Sequence, residues 1–525
     1  MSDYAVFLPE VILVVTALAS AVLGFAWRRR PEYLWGLALA GTSLSLFVIL
    51  DMMGLGVTRA LGLHIWPSPI ANLGDFSEDL KMEVDTFALF FQAMFVFVAL
   101  LAILASRGFL DREEPHQGEY YALMLLAIVG MMFTAAATDL FILFLAFETS
   151  SLSTFALVAF RKKDRHATEA AAKFFIIGAV SSGIVLFGIS LIYGIAGTTS
   201  VGATTDLVLL RDGLNIVSDP LIEPPLIIAL VFLIAGFGFK VAVVPFHMWA
   251  PDVYQGSPTT VSVLLTAASK NVGIVALLKV FLVGLLAVQV DWVATLSILA
   301  IATQIVGNVV AIPQRSIKRM LAYSSIAQAG YILIALPVAA IALQSGAPDD
   351  LAAVVAISGL VGGMLHVLTY AAMKAGAFLV VAGTEARGIP DDMEAYKGLA
   401  KRMPFLSFSM TIFLLSLAGI PPLGGFFSKF VLFSSAVNAA QFNTWYLALA
   451  ISGVLNSALS LYYYARVVWY MYILDPEPGA GKIETPGSIR AAVFIALAVV
   501  MLIAILAAFF LGYLNDAARA FFGWL

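Results

Sequence analysis

Two lysines stand inside apolar sequence in the stretch Gly236–Lys270. Lys240 precedes the helix-breaking Pro245, and Lys270 lies near the middle of the apolar segment that follows. A charge at bilayer depth costs about 2.5–3.5 kcal/mol on insertion scales unless it is paired or hydrated. Two such charges around one interrupted helix indicate a functional role, and we interpret them as proton carriers.

Glu148 is the carboxylate best placed to act on Lys240. It lies within the apolar run that follows Asp139, so we place it near the middle of the membrane. Pro245 leaves the carbonyl of Val241 without its helical donor, and the break should therefore line a hydrated cavity. A change in the Glu148–Lys240 separation would switch the lysine between holding and releasing a proton. The alternatives are a static salt bridge and, at Glu148, a protonated carboxyl or a contact between helices.

The second half of the chain repeats the broken helix with a buried lysine. A long apolar segment is interrupted at Pro421–Pro422, and Lys429 follows the interruption. A broken helix in each half is the sequence pattern of an inverted-repeat transporter. Between the breaks, Lys374 and His366 share one apolar segment and can extend a polar axis, although His366 can equally be structural.

Two further lysines lie nearer the ends of their apolar segments. We expect Lys279 to snorkel to the membrane interface. Lys173 begins about one turn inside its segment, so it is expected either to snorkel or to join the relay as a proton carrier.

Composition restricts the class of protein. The 525 residues are 61% hydrophobic and only 12% charged, whereas soluble chains carry about 25% charged residues. The absence of cysteine excludes thiolate iron–sulfur ligation and disulfides within this chain. No Gly-rich nucleotide-binding motif occurs, and no basic face supports nucleic-acid binding. The chain is therefore expected to be an integral membrane protein without a metal or cofactor of its own.

Apolar segments predict an all-α integral membrane fold with about 14 transmembrane helices. The fourth and fifth segments divide at a turn near Thr138–Asp139. Basic residues cluster in alternate loops, at 28–30, 107–112, 161–165, 315–319, 387–402 and 482–490. Few basic residues occupy the opposite loops: Arg59, Lys81, Arg211 and Arg519. By the positive-inside rule, both termini should lie outside the cytoplasm, which is the periplasmic side in a bacterium.

We predict four regions along the chain. They are the three N-terminal helices (1–118), a first five-helix repeat (119–286), a second, inverted five-helix repeat (292–472) and the last helix (473–525). Each repeat contains one broken helix. The long outer loops 54–83 and 197–222 are polar and acidic, and nothing in them indicates a further domain.

Several motifs resemble the antiporter-like membrane subunits of respiratory complex I, and above all the N-type subunit. They appear in family order as LPEVILV, VDTFALFF, TDLFILFLAFETSSLS, FGFKVAVVPFHMWAPDVYQGSPT, IKRMLAYSSIAQAGY and SLAGIPPLGGFFSKF. The resemblance covers most of the chain from residue 8 to about residue 470. Lysine at position 429 argues against the similar M-type subunit, which tends to carry glutamate there.

The resemblance implies a proton path and a set of partners. The path would use Glu148, Lys173, Lys240, Lys270 and Lys429. Lys374 matches the lysine of an HAxxK pattern in related subunits, with Tyr370 in place of the histidine, and Gln328 stands where some relatives have histidine. Neighbouring M-type, K-type and L-type subunits in a bacterial cell membrane would be partners. FMN, iron–sulfur clusters and quinone would belong to other subunits of the complex.

Other functions use the same residues. A cation/proton antiporter subunit, or a subunit of a membrane-bound hydrogenase-type complex, would also need buried lysines and broken helices. A purely structural scaffold does not explain the buried basic residues. The electron donor, which in resembling complexes is NADH, ferredoxin or another reduced carrier, cannot be read from this chain.

Overall fold

Long apolar runs form helices because a helix satisfies its backbone polar groups within its own segment. The computed structural model describes residues 6–27, 30–55, 81–110, 116–202, 204, 223–344, 350–476 and 478–523. Thirteen of the described helices are long and apolar enough to cross a membrane. The predicted span 404–437 adds two shorter helices separated by a break. The all-α membrane fold with about fourteen spans is therefore confirmed.

In its described residues, the first half contains ten α-helices. They are α1 (Leu8–Ala26), α2 (Pro31–Leu50), α3 (Thr86–Phe109), α4 (Gln117–Ala136), α5 (Leu140–Val158), α6 (Arg165–Ala196), α7 (Glu223–Val241), α8 (Trp249–Gly256), α9 (Thr259–Leu264) and α10 (Lys270–Lys279). A π-helical turn, Leu265–Ser269, joins α9 to α10, and another, Val280–Gly284, follows α10. Asp139 caps α5 by accepting hydrogen bonds from two backbone N–H groups, so the predicted division between the fourth and fifth spans is confirmed.

The second half is built in the same way. Its helices are α11 (Gln289–Ala311), α12 (Ile317–Ile332), α13 (Ala335–Ala339), α14 (Leu351–Glu385), α15 (Leu399–Arg402), α16 (Pro404–Ala418), α17 (Gly424–Ala439), α18 (Tyr446–Tyr472), α19 (Gly487–Ile505) and α20 (Ala507–Phe521). The α20 helix is amphipathic and packs on α3 and α14.

The spans differ strongly in how much neighbouring helices cover them. The most apolar windows of the spans Thr259–Gly284 and Ile317–Ala342 are wholly buried, whereas only a third of the corresponding window of α6 or α19 is covered. The two covered spans and α14 pack together in the middle of the molecule. Most of the residues singled out by the sequence lie on or around these central helices.

Part of the predicted topology lies outside the described residues. This applies to most of the outer loops 54–83 and 197–222 and to five of the basic residues used for orientation: Arg28, Arg29, Arg59, Arg112 and Arg211.

Candidate functional site: a line of buried lysines

Lys240 lies immediately before the first helix break. The α7 helix ends at Val241, because the ring of Pro245 would clash with the Val241 carbonyl if the helix continued. Ala242 adopts a positive φ of 59°. The Lys240 side chain is 2% exposed. Its ammonium donates to Ser151 Oγ at 3.0 Å and lies 5.3 Å from the centre of the Phe147 ring.

Glu148 and Lys240 do not form a direct pair. Glu148 Oε1 accepts a hydrogen bond of 2.6 Å from Ser182 on α6, and no ion pair among the described residues joins it to Lys240. The two charges still interact through space. Ser151, one turn beyond Glu148 on α5, is the group that contacts the lysine. Neither serine was predicted as a partner from the sequence, although the run ETSSLS placed Ser151 on the helix face next to Glu148.

Lys270 lies at the start of α10, directly after a π-helical turn. Such turns are frequent at functional sites because they shift side chains out of the regular helical register. Lys270 is 1% exposed, and its ammonium donates to the carbonyl of Ser325 on α12 at 3.0 Å. The face of Tyr254 lies 6.0 Å away, measured to the ring centre.

Lys374 reaches the same helix from the opposite side. Its ammonium donates to Ser324 Oγ at 2.7 Å and to the Leu321 carbonyl at 3.1 Å. Ser324 also forms a very short hydrogen bond with the hydroxyl of Tyr464. Because Ser324 and Ser325 are adjacent, α12 connects the partners of Lys374 and Lys270.

His366 and Lys429 continue this connection toward the second break. The ring nitrogens of His366 lie 2.9 Å from Ser428 Oγ and 2.9 Å from Gln328 Oε1. Gln328 Nε2 donates to the Leu417 carbonyl at 3.1 Å. Lys429 donates to the same carbonyl at 2.7 Å, so one backbone oxygen joins the two side chains.

The second helix break provides that oxygen. The last carbonyls of a helix have no intrahelical donor, and α16 ends at Ala418 with Gly419 at φ 85°. Lys429 uses the Leu417 carbonyl, and Ser457 donates to the Ala418 carbonyl at 2.9 Å while accepting from Lys429 at 2.8 Å. The Tyr331 ring covers the ammonium at 4.6 Å.

The contacts form a polar axis in the second half. Between Tyr464 and Gln328 the axis depends on an electrostatic interaction of the two side chains. The axis runs through Lys374, Ser324, Tyr464, Gln328, Leu417 and Lys429. Lys270 meets it at Ser325, whereas no direct hydrogen bond among the described residues links Lys240 to Lys270.

Lys173 does not lie on this axis. It is 44% exposed and forms ion pairs with Glu169 at 2.9 Å and Asp252 at 2.8 Å. The α6 helix begins at Arg165, so Lys173 is two turns inside it rather than the expected one turn. Asp252 also binds Arg319 on α12 at 2.7 Å, and these residues line a cavity of about 710 Å³.

Asp252 is the central anion of this cavity. Partial burial acts to raise the pKa of Asp252, but the hydrogen bonds from Lys173 and Arg319 outweigh that effect and hold its pKa below the ordinary value. A second pair, Lys318 with Glu385 at 2.6 Å, lines the same cavity. From the sequence, Lys318 and Arg319 were predicted only as basic loop residues that orient the chain, since their partners are distant in the chain.

The family assignment follows from comparison with known proteins. A family model described as "NADH:quinone oxidoreductase/Mrp antiporter, TM" matches residues 137–347 and 350–457, more than half of the chain. The chain therefore belongs to this family of antiporter-like membrane subunits. All of the candidate relay residues from Glu148 to Lys429 fall within the matched regions.

The similar curated proteins are N-type subunits, as the motifs predicted. F(420)H(2) dehydrogenase subunit N of Methanosarcina mazei is 42% identical over 95% of this chain and 95% of that protein. NADH-quinone oxidoreductase subunit N of Trichlorobacter lovleyi is 39% identical over 90% of this chain and 88% of that protein. The predicted resemblance to the N-type subunit is confirmed.

Solved structures show the same architecture. A chain of respiratory complex I from Thermus thermophilus with bound aureothin matches with a TM-score of 0.74 and 29% identity, covering 96% of this chain and 99% of that one. A chain of the Mrp complex from Dietzia sp. gives a TM-score of 0.80 at 19% identity, covering 99% of this chain and 98% of that one. The second match concerns the fold alone.

Proposed function

We propose that this chain is the N-type subunit of a redox-driven complex, an NADH:quinone oxidoreductase in the first instance, and that it moves protons across the membrane. The observation that carries this is the line of four buried lysines, which are Lys240, Lys270, Lys374 and Lys429. All four lie at most 3% exposed, and each has a neutral oxygen as its hydrogen-bond partner.

Neutral partners allow a lysine to change charge. A hydroxyl or carbonyl stabilises the lysine ammonium. When the lysine then loses its proton, no carboxylate is left unpaired in a dry interior. A proton taken up near Lys240 passes to Lys270, then through α12 to Lys374 and along the polar axis to Lys429. Glu148 acts on Lys240 through space, and a change in their separation starts the transfer.

The energy needed to move a proton across the membrane is comparable to the energy that a pKa change at one lysine supplies. Moving one charge through 100 mV takes about 2.3 kcal/mol. A change of about two pKa units at one lysine supplies about 2.7 kcal/mol. Opening and closing one charged contact is therefore sufficient to move one proton uphill.

The redox chemistry belongs to other subunits. FMN, iron–sulfur clusters and quinone act in those partners, and this chain is a non-redox translocase subunit without a complete active site. Its neighbours are M-type, K-type and L-type membrane subunits. The basic loops face the cytoplasm of a bacterial cell, which puts both termini on the periplasmic side, and the Lys173–Asp252 cavity then faces the cytoplasm as the place of proton uptake. Lys173 acts at that uptake site rather than on the axis.

A second electron donor is favoured by a specific observation. The relative at 42% identity is named as a subunit of an F(420)H(2) dehydrogenase, while two relatives at 39% identity are named for NADH. A complex fed by F(420)H(2) or another carrier would use this chain in the same way. Purification of the complex and assay with each donor decides between them.

The proton function is tested by Lys429→Ala in the assembled complex. We expect quinone reduction to continue at a reduced rate while proton translocation per electron falls. Lys482→Ala, which changes an exposed loop lysine, should match the unsubstituted complex. Equal proton translocation in both variants would exclude Lys429 from the path.

A further inference from the structure

A fifth lysine is buried at the other end of the Lys270 helix. Lys279 ends α10 and is 8% exposed, so the expectation that it snorkels is wrong. Its ammonium donates to the Ala137 carbonyl at 2.9 Å. An ammonium has three donors, and the Ala137 carbonyl accepts one of them, as the Ser325 carbonyl does at Lys270.

Two carboxylates face Lys279 from the segment before α3. Glu83 and Asp85 both interact with it electrostatically. No ion pair among the described residues joins either of them to Lys279, whereas the backbone N–H of Glu83 donates to the Ala136 carbonyl at 2.7 Å, next to the Ala137 carbonyl that Lys279 uses. Burial and the charge of Asp85 raise the pKa of Glu83 against the opposing effect of Lys279. Burial likewise raises the pKa of Asp85 against the opposing effect of Lys279.

The cluster lies where the chain meets solvent. Lys81, half exposed, forms an ion pair of 2.8 Å with Asp139 beside it. Met82 pairs with Ala137, and Asp139 pairs with Ser200, through isolated bridges. Irregular backbone of this kind is tolerated at membrane depth only where protein or water satisfies it. Solvent therefore reaches the edge of the cluster.

The amphipathic helix α20 covers the cluster. The Tyr513 hydroxyl donates to the Thr86 carbonyl at 3.2 Å, and the Phe521 and Phe87 rings lie 4.5 Å apart. Tyr513 also faces Asp85 and Asp516. Thr86 Oγ1 is buried with no hydrogen-bond partner in the structure. The titratable groups around Lys279 are thus Glu83, Asp85, Tyr513 and Asp516.

The same wholly buried span connects this cluster to the lysine axis. Lys270 follows one π-helical turn, and Lys279 precedes the other. Asn271, next to Lys270, has a buried Oδ1 without a partner and donates weakly to Met94 on α3. Asp85 caps the same α3 helix. At 1.5 Å per residue, about 12 Å separate Asn271 from Lys279 along the helix, a distance that a short chain of waters spans.

We propose that Lys279, Glu83 and Asp85 form an outer proton-release site for the first half of the chain, distinct from the path through Lys429. This rests on the proposed function, since a release site has a task only if the lysine axis carries protons. Protons from Lys270 pass along α3 and α10 to Lys279 and leave through the two carboxyls.

The test uses the whole complex in vesicles, with quinone reduction and proton translocation measured together. We expect Lys279→Met to lose part of the protons moved per electron while quinone reduction continues. Its translocation should also become less sensitive to pH on the outer side. Lys81→Met, which removes the neighbouring surface ion pair, is the matched control and should leave both quantities unchanged.

A second variant guards against failed assembly. Glu83→Gln keeps the shape of the side chain and should shift the outer-pH dependence of translocation. Lys429→Ala is measured alongside. If Lys429→Ala lowers translocation while Lys279→Met and Glu83→Gln behave like the unsubstituted complex, the release site is wrong and the proposed function stands. If none of the three changes translocation, both are wrong.

Discussion

The four axis lysines share an unusual kind of hydrogen-bond partner. Membrane cations are commonly paired with carboxylates, yet Lys240 contacts a serine hydroxyl and Lys270 a backbone carbonyl. Lys374 and Lys429 each have one hydroxyl and one carbonyl. By contrast, Lys173 and Lys318 bind carboxylates directly. Lysines with neutral partners suit proton transfer, and lysines in ion pairs suit a fixed charge.

The hydroxyl of Ser324 provides a test at the scale of one residue. Ser324→Ala removes the hydroxyl partner of Lys374 and the hydrogen bond to Tyr464. A hydrogen bond to a charged group is worth about 1.5–3 kcal/mol, so proton translocation should slow by roughly tenfold or more if that energy appears in the barrier. Ser435→Ala is the control, because the hydroxyl of this buried serine donates to the Leu432 carbonyl of its own helix. Equal rates in the two variants would contradict a relay through Ser324.

At the scale of elements, each helix break leaves a backbone carbonyl that a side chain from another helix satisfies. The breaks occur where Ala242 and Gly419 adopt positive φ values. The Phe239 carbonyl near the first break accepts from the Trp249 ring nitrogen, and the Leu417 carbonyl at the second accepts from Lys429. The predicted inverted repeats, 119–286 and 292–472, remain a prediction that would account for these similar breaks.

The second break can be tested by Gly419→Ala. A left-handed conformation costs an L-residue about 1–2 kcal/mol, and an added Cβ would lie 3.2 Å from Lys429 Cδ. Thermal stability of the purified subunit or complex should fall, with translocation reduced. Gly183→Ala, whose Cβ would meet no atom within 4 Å, should leave both nearly unchanged. A stable, fully active Gly419→Ala variant would show that the break tolerates a side chain.

The Asp252 cluster predicts a specific pH dependence. The pKa of Asp252 is lowered in the folded protein, so its carboxylate adds stability above its ordinary pKa of about 3.9 and loses it as pH falls through the lower folded value. Asp252→Asn should therefore reduce thermal stability by a similar amount from neutral pH down to about pH 5, and the difference should shrink below about pH 4. Asp475→Asn, in an exposed pair with Lys401, should have little effect. A difference that shrinks already above pH 5 would contradict this sign.

At the scale of the whole molecule, the arrangement of spans sets which side each cluster faces. The absence of cysteine makes single-cysteine labelling with a membrane-impermeant maleimide direct. Lys482→Cys should react from the cytoplasmic side and Asp516→Cys from the opposite side, because the last span separates these exposed residues. Labelling from the reverse sides would invert the proposed direction of proton movement.

The span pattern was readable from the sequence because bilayer thickness sets the length of each apolar run. Pro245 and Pro421–Pro422 also located the two breaks, since a proline removes a helical hydrogen bond. The partners of the lysines could not be read in this way. Ser151, Ser325 and Asp252 are ordinary residues in the sequence, and only packing between distant helices brings them to Lys240, Lys270 and Lys173. Lys279 was misjudged because the cover over it comes from other segments.

The most direct test of the central claim is proton translocation by an assembled complex that carries Lys240→Ala. Translocation and quinone reduction are measured together in vesicles, with Lys482→Ala as the control. The account predicts that Lys240→Ala assembles, lies in the membrane and loses protons moved per electron, because Glu148 then has no lysine to act on. Unchanged proton translocation in a fully assembled Lys240→Ala complex would contradict it.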